Sequence, residues 1–413
     1  MQQVAEPKKT GTLGATAIGV SAMLGAGVFS AFAPAAEAAG SWLLMSLAIA
    51  LVVAASNAAS TAQLARQHPG AGGVYLYGRE QLGAWPGFVA GWGFVIGKTA
   101  SVAAMAITAA AYLVPEPFAR PAALVVLLAV TAAGMLGITR TAAIATVIGS
   151  VVTVGLLGAL VTSQLSPPLF GSASEDDAVF SALGVLQGAG ILFFAFAGYA
   201  RVATLSEEVR DPRRTVPRAM LLSFSIVSAL LAALGWTLLA TLGPGRLALS
   251  PAPVAALVET QPVAVTVVSV LAAVSSIGAL SAVLAGSSRT AMAMGRRRDL
   301  PGLLARQQAS TAVPRFAVLA VAAGATLLIC VGDIREVIGF SSAGVLVYYL
   351  IANLSALTQS REHRTVPRAV SVFGAVGCAV LVATLPPLSL ASALGVLVVG
   401  VLARLALRRD IVS

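Results

Sequence analysis

Two glycine-interrupted apolar segments hold the groups in this sequence that could do chemistry. In the first, Gly25 and Gly27 lie two residues apart inside a hydrophobic run that continues to Pro34. In the second, Gly198 follows an aromatic cluster that contains Phe194. Glycine weakens a helix, and loose backbone at membrane depth persists only where it lines a cavity. The pair predicts two broken helices that bind a ligand, although a small-residue packing face explains either segment taken alone.

Lys98 is the third candidate, because it lies within an apolar run beside Thr99 and Ser101. A charged group in the bilayer interior costs at least about 2.5 kcal/mol on insertion scales, so such a residue is a functional candidate. One interpretation makes Lys98 a proton-coupling group that faces the broken helices. The other lets its long side chain reach the cytoplasmic surface. The sequence leaves both interpretations open.

The chain that positions these residues has the composition of a membrane protein. Of 413 residues, 58% are hydrophobic and 10% are charged, and the mean hydropathy is +0.91. Soluble domains carry about a quarter charged residues. The charges here lie in short clusters between apolar runs of about 18 to 28 residues, a length that spans a bilayer as a helix. We therefore expect an all-α polytopic membrane protein.

A walk along the chain in windows of about 19 residues predicts twelve spans within one domain. Breaker sequences such as Pro115-Glu116-Pro117 and Gly243-Pro244-Gly245 separate them. We expect a cytoplasmic tail over 1–12, a transmembrane domain over 13–407 and a second cytoplasmic tail over 408–413. The predicted spans lie near 13–36, 41–65, 86–113, 121–138, 141–163, 181–205, 218–242, 263–294, 313–331, 335–357, 369–385 and 387–407.

The positive charges predict the orientation, since Lys and Arg stay on the cytoplasmic side during insertion. With the amino terminus inside, 21 of the 26 Lys and Arg residues are cytoplasmic, and Arg120, Arg246 and Arg335 are outside. This arrangement places the chain in the inner cell membrane with both termini in the cytoplasm. The net charge of +10 then reflects topology, so no nucleic-acid partner is expected.

Other functional classes find little support. The histidines are His68 and His363, both in predicted loops, and the cysteines Cys330 and Cys378 lie in apolar runs without metal-ligand spacing. There is no HExxH sequence and no pair of intramembrane aspartates, so we expect no enzyme, no metal and no cofactor. A channel, which would show repeated polar rings or filter loops, is a distant alternative.

Five segments in order resemble the amino acid–polyamine–organocation superfamily, and within it the branch of cationic amino acid transporters. They are Gly25–Phe29, Ala65–Glu80, Gly91-Trp92, Ser206–Pro217 and Ser288–Pro301. A further stretch, from Val366-Pro367 to Leu385-Pro386, looks like a later family element, and the likeness covers about 10–407. It implies a five-plus-five inverted repeat, near 13–163 and 181–357, with discontinuous helices one and six and extra helices near 369–407.

The resemblance also implies a function, namely a secondary permease that moves amino acids by alternating access, with proton coupling or exchange. Its substrate would lie between the two breaks. Phe194 would close over it as an aromatic gate, unless it only packs in the core, and Ala197 and Gly198 would leave room for a side chain. The carboxylate would meet the amides of Gly25, Ala26 and Gly27, and the ammonium the carbonyls of Ala22, Met23, Phe194 and Ala197.

Some residues depart from the family pattern and bear on the substrate. Val152 stands where some proton-coupled relatives have a span-five Lys, and Gln63 stands where relatives often have Glu. Tyr199-Ala200-Arg201 replaces an acidic residue that many cationic-substrate relatives carry, and Glu37 is the one unpaired membrane carboxylate expected. These departures favour a neutral amino acid over a cationic amino acid, a polyamine or another amine. Direction of transport and oligomeric state stay open.

The charged run from Glu207 and Glu208 to Arg214 has two interpretations. It is either a solvated loop or an ion-pair network with Arg289 and Arg296 that closes the cytoplasmic gate.

Overall fold

The computed structural model describes residues 10–68, 72–137, 142–165, 180–199, 202, 209–308 and 311–409. Within these ranges the chain forms helices joined by short turns, and no β-strand occurs among them. A single parallel bridge pairs Thr10 with Val209, where the Arg210 amide donates to the Thr10 carbonyl at 2.9 Å. The predicted all-α class is confirmed.

Long helices alternate with short helical pieces along the chain. The helices are α1 (Thr12–Met23), α2 (Ala26–Ser30), α3 (Phe32–Ala39), α4 (Leu43–Gln67), α5 (Gly73–Leu82), α6 (Ala84–Leu113), α7 (Glu116–Met135), α8 (Ala142–Leu165), α9 (Ala182–Phe196), α10 (Pro212–Leu249), α11 (Pro253–Ala256), α12 (Pro262–Arg296), α13 (Arg315–Val331), α14 (Ile334–Leu357), α15 (Arg368–Thr384) and α16 (Pro387–Arg409).

These helices match the predicted spans. In the described part of the chain, eight helical segments are long and apolar enough to cross a membrane, and four shorter apolar helices accompany them. Each predicted span overlaps one of these segments. The protein is therefore an integral, multi-pass membrane protein, as the composition indicated.

Two predicted spans differ from the observed helices at their ends. The helix expected over 181–205 stops at Phe196, and the one expected over 218–242 extends from Pro212 to Leu249. Inside that long helix, Gly243 adopts φ 70° and ψ 166°, so the predicted Gly-Pro-Gly separator is a kink. A positive φ is accessible to glycine at little cost, which explains the residue at this position.

α6 and α14 form the centre of the bundle. In each, 78% of the residues in its most apolar 18-residue stretch are buried, whereas the share in α7, α8 and α16 is 22%. The exposed residues of these peripheral helices are apolar, for example Val125 and Val154. Such surfaces face lipid, whereas the central helix α6 carries Lys98 in the interior of the bundle.

A buried ion cluster joins α5, α6 and α16 to the chain that follows α12. Asp299 accepts from Arg79 Nη1 at 2.7 Å, from Tyr75 Oη at 2.8 Å and from Arg404 Nε at 2.9 Å. Asp299 and the Arg404 side chain are fully buried. Buried charges are tolerated when they are paired and hydrogen-bonded. This cluster was not evident from the sequence, in which Arg79 and Arg404 count only among the 21 cytoplasmic Lys and Arg residues.

Aromatic side chains complete the cluster. The Arg404 guanidinium lies 4.2 Å from the Trp85 ring centre and 4.6 Å from the Phe88 ring centre, on the first turns of α6. Burial, together with the hydrogen bond to Asp299, raises the pKa of Tyr75. The phenol therefore stays protonated at neutral pH and donates to the carboxylate.

We predict that Asp299→Ala destabilises the protein by about 3–5 kcal/mol, because it leaves the buried Arg404 without its carboxylate. Thermal unfolding of the detergent-purified protein measures the loss. Arg214→Ala is the control, since its 3.6 Å pair with Asp211 is exposed to solvent. Equal unfolding temperatures for the two variants would show that the cluster does not stabilise the fold.

Candidate functional site

The first predicted span is broken where its glycines lie. α1 ends at Met23 and α2 begins at Ala26, and between them Leu24 and Gly25 leave helical geometry, with ψ values of 42° and −152°. Beyond the break, Ala31 keeps right-handed helical geometry, and its amide bonds to the carbonyl four residues before it at 3.2 Å. α2 and α3 thus form one outer half-helix over 26–39.

The outer half-helix presents unused amides at its start. Its first bond runs from the Val28 amide to the Gly25 carbonyl at 3.4 Å. The amides of Gly25, Ala26 and Gly27 precede that bond, and the first amides of a helix have no intrahelical acceptor. These three groups are the donors that the sequence analysis assigned to a carboxylate.

The sixth predicted span is interrupted after Phe196. The Ala197 amide still bonds to the Phe194 carbonyl at 3.3 Å, and a turn follows over 197–199. Arg201 and the residues Glu207 and Glu208 of the predicted gate network lie outside the described residues. Within the described part of that network, Arg214 pairs with Asp211, and Arg296 bonds to Gln307 at 2.8 Å.

The two breaks lie against each other. A Cβ atom on Gly198 would come within 2.4 Å of the Ala22 carbonyl oxygen and 2.7 Å of Met23 Cα. A Cβ atom on Gly27 would come within 2.5 Å of Ala195 Cα. Contacts below 3.0 Å with backbone leave no room for a side chain, so both glycines are needed for close approach. The space at Gly198 is filled by the end of α1.

Lys98 projects from α6 to the second break. Its Nζ donates to the Ala197 carbonyl at 3.3 Å and lies 5.9 Å from the centre of the Phe94 ring. The residue is 8% exposed. Lys98 therefore bonds the backbone that the interruption of α9 leaves free, and the structure does not show it reaching the surface.

The first break has a comparable partner from α12. The Ser275 hydroxyl donates to the carbonyl of Leu24, and Leu24 is the residue at which α1 unwinds. Sequence reasoning missed this serine, because a serine in an apolar helix commonly bonds the preceding turn of its own helix, as Ser281 does. Side chains from α6 and α12 thus satisfy one freed carbonyl at each break.

The walls around Gly25 are small and apolar. A Cβ atom there would lie 2.8 Å from Ala279 Cβ and 3.6 Å from Met105 Cε. Val152, at the position of the span-five Lys, is fully buried. The described residues contain no group of three His, Cys, Asp or Glu side chains that could hold a metal ion.

Among the residues that the structure describes, one charged side chain lies at the breaks. Across the described residues, the buried charged side chains are Lys98, Asp299 and Arg404, and the latter two belong to the ion cluster. Glu37, which we expected to be unpaired, forms an ion pair with Arg335 at the start of α14. The correction follows from the contact between the first turn of α14 and the outer half-helix, which sequence spacing does not reveal.

The three phenylalanines of α9 have different surroundings. Phe193 is fully buried and meets the Tyr349 ring edge to face, with centres 5.8 Å apart. Phe196 is also fully buried and packs against Phe224 at 5.7 Å. Phe194 retains 7% exposure. Its two neighbours are held by aromatic partners in the core.

Residues 11–403 match a protein-family model described as amino acid permease. The chain belongs to the amino acid permease family. This permease is 46% identical over 404 residues to an uncharacterized transporter of Mycobacterium tuberculosis, covering 96% of this chain and 90% of that protein. It is therefore a transporter and not an enzyme, and the resemblance noted in its sequence is confirmed.

Two other relatives have names that state a substrate class. The permease is 21% identical over 389 residues to the branched-chain amino acid permease of Bacillus subtilis, covering 88% of this chain and 83% of that protein. It is 29% identical over 249 residues to cationic amino acid transporter 4 of Homo sapiens, covering 52% of this chain and 38% of that protein. These names describe different substrate charges.

We predict that Phe194→Ala lowers the apparent substrate affinity of this permease about tenfold, a loss of about 1.4 kcal/mol, because the ring would close over the substrate. Phe193→Ala should instead lower thermal stability by about 3–5 kcal/mol, as expected for a buried phenylalanine. Concentration-dependent uptake and thermal unfolding separate the two effects. Equal, small effects on affinity at both positions would reject the gate assignment.

Proposed function

We propose that this permease is a secondary active transporter of amino acids that holds its substrate between the two breaks. The observation that carries the proposal is the contact between the breaks, at which the amides of Gly25, Ala26 and Gly27 precede the first bond of a half-helix. These amides bind the substrate carboxylate without a buried formal charge. Alternating access then exposes the same site to each side in turn.

The substrate ammonium binds to backbone carbonyls on the other side of this site. Candidates are those of Ala22, Met23, Phe194 and Ala197. The Ala197 oxygen already accepts from Lys98, but a carbonyl has a second lone pair. Phe194 closes over the bound molecule.

A neutral amino acid is the favoured substrate. Lys98 lies at the breaks, and no carboxylate is among the buried residues described there. A cationic side chain would meet repulsion in a site of low dielectric constant. The walls formed by Met105 and Ala279 suit an apolar side chain. A cationic amino acid or a polyamine, and export in place of uptake, are the alternatives.

The proposal includes a topology. The chain lies in the cell membrane with both termini in the cytoplasm, since this orientation leaves three of the 26 Lys and Arg residues outside. One transmembrane domain over 13–407 contains inverted repeats near 13–163 and 181–357. The position of the two breaks, in the first and the sixth span, supports that division.

The substrate class can be tested by thermal unfolding of the purified protein with each of the twenty amino acids and with common polyamines. A ligand at a hundredfold excess over its Kd stabilises the folded state by about 2.7 kcal/mol. We expect stabilisation by one or more neutral amino acids, and its loss in Gly27→Ala. Gly286→Ala is the matched control, because no atom lies within 4 Å of its added Cβ. Stabilisation by cationic amino acids or polyamines alone would contradict the assignment of a neutral amino acid as the substrate.

We also predict that Lys98 couples transport to protons. In proteoliposomes, Lys98→Ala should still exchange substrate yet lose accumulation driven by a pH gradient, because no amine remains to gain and lose the proton. Thr99→Val is the control, since Thr99 bonds only its own helix, at 2.8 Å to the Val95 carbonyl. Wild-type accumulation by Lys98→Ala, with an unchanged pH profile, would end the coupling assignment.

A further inference from the structure

A line of buried polar side chains follows one face of α4. It consists of Asn57, Ser60 and Gln63 of α4, Asn353 of α14, Gln359 just after α14, and Ser371 of α15; we call it the polar seam. All six residues are buried. Because these helices cross the membrane, the seam places polar side chains at membrane depth, where they are costly unless they face the protein interior.

The members of the seam contact one another in pairs. Asn353 Nδ2 donates to Asn57 Oδ1 at 2.6 Å, and the hydroxyls of Ser60 and Ser371 are 2.9 Å apart. Gln63 Nε2 donates to Gln359 Oε1 at 2.5 Å. Along α4, the six-residue step from Asn57 to Gln63 rises about 9 Å, which is about a third of a bilayer core of about 30 Å.

One end of the seam opens at a surface cavity. The cavity has a volume of about 410 Å³ and is lined by Arg361, Arg364, Thr365, Val366 and Pro367. The amides of Thr365 and Val366 both donate to Gln63 Oε1 at 2.8 Å. The Gln63 side chain therefore connects the cavity wall with the interior of the seam.

The other end reaches the break after α9. Asn353 Nδ2 also donates to the Tyr349 carbonyl at 2.9 Å, and the Tyr349 ring stacks on the Tyr199 ring with centres 5.2 Å apart. Tyr199 is two residues beyond Ala197, whose carbonyl accepts from Lys98. The seam thus ends at Tyr349, whose ring contacts a residue two positions from the carbonyl that accepts from Lys98.

The seam is only partly satisfied by protein atoms. Asn57 Nδ2, Asn353 Oδ1 and Thr61 Oγ1 are buried without a hydrogen-bond partner within the described ranges. Each such group keeps its full desolvation cost unless it is solvated. Polar groups of this kind are the usual binding sites of internal water. If the seam served only to hold helices together, these groups would be expected to be paired.

The backbone of α15 passes close to the orphaned groups. A Cβ atom on Gly374 would lie 2.5 Å from Asn353 Oδ1, and Cys378 Sγ is 3.3 Å from Asn57 Oδ1. Small residues of α15 thus cover the two asparagines. A bulkier helix face would displace the amide groups from one another.

We propose that the polar seam is a hydrated path that carries protons between the cavity at Arg361–Pro367 and Lys98. The inference rests on the proposed coupling function of Lys98. A proton enters the water of the seam at one end and is exchanged with the amine at the other, with no covalent change in the protein. Among the described residues, the other ionisable groups along the path are Tyr199, Tyr348, Tyr349, Cys378, Arg361 and Arg364.

The test removes both asparagines at once. In proteoliposomes, Asn57→Leu/Asn353→Leu should exchange substrate at the wild-type rate but accumulate it at least tenfold less under a pH gradient. Thr131→Val is the control, since Thr131 is buried in α7 and bonds only the Leu127 carbonyl, at 2.7 Å. Wild-type accumulation by the double variant, when Lys98→Ala has lost it, would overturn the path and leave the role of Lys98 intact.

A second measurement needs no variant. Radiolysis in ¹⁸O-labelled water produces hydroxyl radicals at buried water molecules, so a hydrated seam should be labelled at Tyr349 and Cys378. Met220, fully buried in the apolar core, is the dry reference. Labelling of Tyr349 and Cys378 no greater than that of Met220 would overturn the hydrated path, whatever the outcome for Lys98.

Discussion

The fold depends on one constraint, which is that a helix interrupted inside a bilayer frees carbonyl groups that lipid cannot satisfy. Here the Leu24 carbonyl receives the Ser275 hydroxyl, and the Ala197 carbonyl receives the Lys98 ammonium. Both donors belong to the long helices α12 and α6, which have no such break. The central position of α6 follows from this requirement, since it must reach the break after α9 from within the bundle.

The spans and the first break could be predicted because they depend on local properties. Apolar runs separated by charged or Pro-Gly segments define helices of membrane length, and Gly25 and Gly27 weaken the first of them. The end of α9 at Phe196 was harder to predict from the sequence, because apolar residues continue past it. Beyond that end, Gly198 packs against Ala22, a contact between distant segments that no local pattern reveals.

The sequence did not reveal the ion pairs between residues that are far apart in the chain. Asp299 lies 220 residues from Arg79 and 105 residues from Arg404. Glu37 and Arg335 are 298 residues apart. In a membrane protein each of these charges has a sufficient local explanation, namely orientation or a helix end. The polar seam could not be predicted either, because in the sequence Asn57 and Gln63 are single polar residues in an apolar helix and their partners lie far away in the chain.

In the proposed mechanism, the contact between Lys98 and Ala197 decides how proton and substrate influence each other. The carbonyl that accepts from Lys98 is also one of those available to the substrate ammonium, so a charged Lys98 competes with that ammonium at one oxygen. The same charge attracts the substrate carboxylate, and the difference between these two effects is the coupling free energy. By reciprocity, substrate changes proton affinity by the same factor as proton changes substrate affinity. Because both ligands meet at one carbonyl, the two can be coupled without any signal between distant sites.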